Sequence, residues 1–153
     1  MPQFNEQLSE ALSLYDKVDP SNAAAGTQNS SGIDLQKFRR VIFSVQVGAI
    51  TGAGTLDVKM QSSANSNFNV VHNFTGGAIT QITNANPNNL VTLETNDEYV
   101  VSQNSGDRYV RVQCVVTTNN VIYGVVGYGG VPAQNPAKAQ DSSTLALQRL
   151  VAQ

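Results

Sequence analysis

The chain has one cysteine, one histidine and no tryptophan in 153 residues, and only 13% of it is charged. Each shortage excludes something. A lone Cys114 cannot form an internal disulfide. One cysteine and one histidine cannot supply the nitrogen and sulfur ligands of a zinc site. No apolar run approaches the length that crosses a bilayer. The amino terminus, MPQFNEQLSE, has neither the basic start nor the apolar stretch of a secretory signal. Synthesis in a reducing cytoplasm is therefore expected. The net charge of -2, without blocks of Lys or Arg, argues against nucleic acid or an anionic membrane as the main partner.

Asn, Gln, Ser and Thr fill the deficit, making up more than a third of the chain. Such a surface is polar but weakly charged. It repels neighbours poorly, which suits a protein that ends in a dense assembly.

Periodicity divides the chain into three. Phe4, Leu8, Leu12 and Tyr15 fall at helical spacing, so Phe4–Val18 is predicted as a short amphipathic helix stopped by Pro20. Residues 1–32 are thus a helix and a flexible arm, the arm being Ser21–Gly32. Residues 33–131 change to a period of two. Val41, Phe43, Val45 and Val47 share one face, as do Leu56, Val58 and Met60, with Asp57, Lys59 and Gln61 opposite. Phe68, Val70, His72 and Phe74 are placed on one side of a further strand. In RYVRVQCVVT, Val110, Val112, Cys114 and Val116 alternate with Arg111 and Gln113. The stretch from Thr95 to Gly106 reads as a polar loop. Residues 132–153 form an extended carboxy-terminal arm with two prolines early in it and a possible short helix. Six or seven short strands separated by turn signals predict an all-β fold: an antiparallel, jelly-roll-like β-sandwich.

The search for chemistry finds none. Nucleophilic catalysis needs a base beside its nucleophile, and His72 shares its strand face with apolar residues, as a structural histidine would. Cys114 sits among valines and behaves as a small hydrophobe. Asp97, Glu98 and Asp107 flank one region but lack the spacing of a calcium loop. GAITGAG is followed by neither a helix nor a Lys-Ser/Thr pair, so it is a hairpin connection. The Asn-x-Ser/Thr matches at Asn29 and Asn73 are expected by chance in so Asn-rich a chain. Arg39, Arg40, Arg108 and Arg111 read as edge-protecting charges. No enzyme, cofactor or metal site is expected, and no catalytic residue is assigned.

The segment IDLQKFRRVIFSVQVGAITGAGTLDVKMQSSANSNF resembles a pattern of small bacteriophage head proteins. An acidic-Leu start leads through an aromatic and basic step to a strand ending in VG, a Gly-rich turn, and T-L-D-x-K-x-Q. AITQIT, RYVRV and the closing YGGVP continue the likeness, from about Asp34 to Pro132. The resemblance implies a capsid decoration, or cement, protein on the outer surface of the virion shell. Its partner would be the major capsid protein, bridged between neighbours by a homo-oligomer, with a trimer favoured. Two other readings stay open. One is a head-tail joining or tail protein. The other is a carbohydrate- or receptor-binding β-sandwich, for which Tyr99, Tyr123 and Tyr128 are the candidate stacking residues.

Overall fold

A computed structural model describes residues 11–132. Within them lie ten strands: β1 (Leu12–Ala23), β2 (Gly26–Asn29), β3 (Ile33–Asp34), β4 (Phe38–Ile50), β5 (Thr55–Ser63), β6 (His72–Ala78), β7 (Ile82–Thr83), β8 (Leu90–Asn96), β9 (Tyr109–Thr117) and β10 (Val121–Pro132). One short helix, α1 (Asp97–Gln103), separates β8 from β9. All strand pairs are antiparallel, and the fold is all-β.

The pairing is nested. β1 pairs with β10, β2 and β3 with β9, β4 with β8, and β5 with β6 and β7. Two further pairings, β10 with β4 and β5 with β9, assemble the nested pairs into two sheets. The first sheet runs β1-β10-β4-β8 and the second runs β2-β9-β5-β6. The alternating rows of β4, β5, β9 and β10 supply one continuous core cluster. Val41, Phe43 and Val45 come from the first sheet, and Leu56, Val110, Val112 and Cys114 from the second, all without exposure. Each fully buried side chain of this size contributes about 1.5–3 kcal/mol, which makes these rows the main source of stability.

β10 has glycine where its neighbours have rings. A Cβ on Gly127 would lie 2.8 Å from Phe43 Cε1 and 3.0 Å from Asp16 Cβ. A Cβ on Gly129 would run into the ring of Phe38. The two phenylalanines of β4 therefore lie across the glycines of β10. In the register, Gly127 stands opposite Phe43.

Several expectations are corrected. Leu12–Val18 is strand, not the second half of a helix; residues 1–10 lie outside the described residues. Register shifts at Leu14/Asp16 and Val18/Ser21 break the alternation of β1. Most of Ser21–Gly32 is not a free arm: Ser21–Ala23 completes β1, and Gly26–Asn29 pairs with β9. The paired strands thus begin at Leu12. The polar stretch after Thr95 contains α1, capped by the Asn96 side chain, which accepts from the Tyr99 N–H at 2.8 Å. Gln61 keeps the outward side of β5 but is only 5% exposed, bonded to Arg111 and Asn73, and Val70 faces solvent at 59%. Val131 and Pro132 end β10, while the expected arm beyond them lies outside the described residues.

Candidate functional site

β5, β6 and the loop before β9 bring three polar side chains together. The buried carboxylate of Asp107 accepts from Ser62 Oγ at 2.6 Å and from His72 Nδ1 at 2.8 Å, both at Oδ2. Ser62 is wholly enclosed, whereas the His72 ring is 41% exposed. The order of the three matters. A relay that activates serine places the imidazole between hydroxyl and carboxylate, but here serine and histidine both bond to the aspartate. The arrangement fixes the ring of His72 and ties three segments together.

A second tie joins β3 to the same loop. Arg108 grips Asp34 with two bonds, Nε to Oδ1 at 3.0 Å and Nη2 to Oδ2 at 2.6 Å. Burial pushes the Asp34 carboxyl up, but the hydrogen bonds and positive charge of Arg108 outweigh it and hold the group below the usual range. Asp16, 2% exposed, accepts N–H groups from Lys17 at 2.9 Å, Ser31 at 3.0 Å and Gly32 at 2.8 Å. Burial still pushes its pKa up. This carboxylate latches the edge of the first sheet to the turn preceding β3. Asp16 was not singled out from the sequence, and Asp34 entered only as the acidic start of the phage-head resemblance; an Asp within an otherwise half-apolar strand is a faint signal for the first.

The remaining sequence candidates disperse. Burial pushes the Cys114 thiol up to about 12, so thiolate is scarce at neutral pH. Asp97 and Glu98 occupy the first turn of α1, where they suit the helix dipole, while Asp107 is engaged elsewhere. Among the described residues no group of three His, Cys, Asp or Glu side chains is placed to hold a metal ion. Arg111 donates to Gln61 Oε1 at 3.0 Å and lies over the Phe68 ring, and Arg39 and Arg40 stand exposed on β4. Asn29 accepts from Gln113, and Asn73 from Gln61.

Two open clefts lie among the described residues. One, of about 450 Å³, lies at the mouth between β6 and β8, bordered by Arg40, Glu94, Gly76 and Tyr99. The other, of about 640 Å³, is a groove on the outer face of the first sheet. Val18, Leu90, Ile122 and Tyr128 give it an apolar lining, with Gly124 and Ser44 also in its wall. Tyr123 is 1% exposed in the core, its hydroxyl donating to Gln28 Oε1. Tyr99 packs on Phe74 and donates to the Thr75 carbonyl. Of the three candidate tyrosines, Tyr123 and Tyr128 both border the groove, but the Tyr123 ring is buried and only Tyr128 is partly exposed there. Among the described residues no helix is long and apolar enough to cross a membrane. The sequence matches no protein-family model and no curated protein.

Proposed function

We propose that this protein is a structural subunit of a bacteriophage virion. It binds the outer surface of the capsid shell and cements neighbouring major capsid subunits as a homo-oligomer, without enzymatic activity. The nested strand order carries this reading. First-with-last pairing that continues inward over two sheets is the order expected of a jelly-roll-like sandwich, an architecture common in viral capsid domains. The phage-head resemblance from Asp34 to Pro132 and the weakly charged polar surface support it independently. Repetition by shell symmetry would turn weak contacts into firm attachment. Electron microscopy of purified virions tests this, with many copies spread over the shell as the expected result. A single ring at the vertex would overturn it in favour of a head-tail joining or tail protein. The apolar groove containing Tyr128 favours a second reading, a carbohydrate- or receptor-binding virion protein. Glycan binding abolished by Tyr128→Ala, with shell occupancy absent, would select it.

A further inference from the structure

The four outer strands of the two sheets are not equally protected. β1 carries Pro20, which lacks an N–H, and two register shifts, and it exposes Lys17 and Asp19. β2 has only four residues. β6 is covered: the Thr75 N–H donates to Gln103 Oε1 and the Thr75 carbonyl accepts from the Tyr99 hydroxyl. Pro, bulges, charge, brevity and cover are the usual means of keeping a sheet edge from pairing. β8 has none of them except one carboxylate, Glu94. It pairs with β4 over seven consecutive positions without a shift, from Arg40↔Asn96 to Gln46↔Leu90. Among the described elements none pairs with its other side.

We infer that β8 is an assembly edge and that its occupant is β8 of a second copy, running antiparallel about a two-fold axis through Leu93. The strand is suited to itself. The register pairs Leu90 with Asn96′, Val91 with Thr95′ and Thr92 with Glu94′, the prime marking the second copy. Thus the two Glu94 carboxylates do not face each other, and the inward row of Val91, Leu93 and Thr95 continues across the axis. The two ends also match. At one end Leu90 is 68% exposed; at the other, α1 exposes Tyr99 at 40% and Val101 at 52%. A two-fold axis carries each exposed Leu90 toward the α1 end of the other copy, so apolar surface meets apolar surface. The result joins two four-stranded sheets into one of eight. Isologous pairing counts copies in twos, in contrast to the trimer implied by the phage-head resemblance.

The register can be read by charge at one exposed position. Thr92 would stand opposite Glu94′ twice in each dimer, and cross-strand charge pairs of either sign are each felt. Sedimentation equilibrium of the full-length chain should give a dimer that Thr92→Glu weakens several-fold to about tenfold and Thr92→Lys strengthens by a similar factor. Thr92 is exposed, and circular dichroism should show that both variants keep the β fold. Hydrogen exchange should show β8 amides gaining protection as protein concentration rises. A monomer at every concentration, a three-copy mass, or equal effects of the two charges would overturn the inference. The measurement needs no phage heads. A β8 dimer that fails to bind shells would therefore refute the proposed function and leave this edge intact.

Discussion

The two sheets are held by different forces. The first is closed by rings lying over glycines, Phe43 against Gly127 and Phe38 against Gly129. The second is fastened by directional polar ties, Asp107 to Ser62 and His72, and Arg108 to Asp34. Packing tolerates acid and salt but not a change of volume. Charged and polar ties tolerate changes of size but depend on protonation. Volume changes at these two rings should therefore be felt in the first sheet, and protonation of these ties in the second, while Asp16 adds one titrating group to the first.

The largest effect should come from Phe43→Ala, which empties the centre of the first sheet and should cost about 3–5 kcal/mol in urea unfolding. A loss below about 1 kcal/mol would break the contrast. Gly127→Ala should come next, at about 2 kcal/mol, because its new methyl has no room beside Phe43. Combining it with Phe43→Leu should recover part of that loss. Strict additivity would show that the ring and the glycine are not coupled. Asp107→Ala strands Ser62 and His72 and should cost about 1–2 kcal/mol.

The smallest effect concerns acid. The Asp34 pKa is lowered from its ordinary 3.8 on folding, so its contribution is present above 3.8 and is lost as pH falls through the folded value. The Asp16 pKa is raised, so its ionisation opposes folding at neutral pH, and acidification through the folded value removes that penalty. Asp34→Asn should thus flatten the loss of stability below about pH 4. Thermal unfolding across that range checks it, and an unchanged acid limb would remove the tie from the account.

The rows of β4 and β9 were legible because each buries one unbroken alternating face. β1 was not. Two polar residues, Ser13 and Asp16, point inward, and the register shift between Leu14 and Asp16 puts the strand out of phase. Leu12 and Tyr15 then imitate a helix. β2 is exposed at all four positions and is a strand only because β9 lies beside it. The signal for α1 was present, Asn96 followed by Asp97 and Glu98, but seven residues without an apolar stripe hid it. The polar cluster had no local signature, since Ser62 and His72 meet across the β5–β6 pair and Asp107 joins them from far along the chain.

The nested pairing also sets a schedule. Leu12 pairs with Gly130, so β1 leaves the ribosome first and finds its partner last. At about 5–20 residues per second, it waits roughly 6–24 s. Meanwhile β5 and β6, neighbours in sequence, can already close. Assembly therefore proceeds from the middle of the chain outward, as a clasp fastened at its centre before its ends. β1 spends that interval with its backbone unpaired, when its proline, charges and irregular register matter most to keeping nascent chains apart.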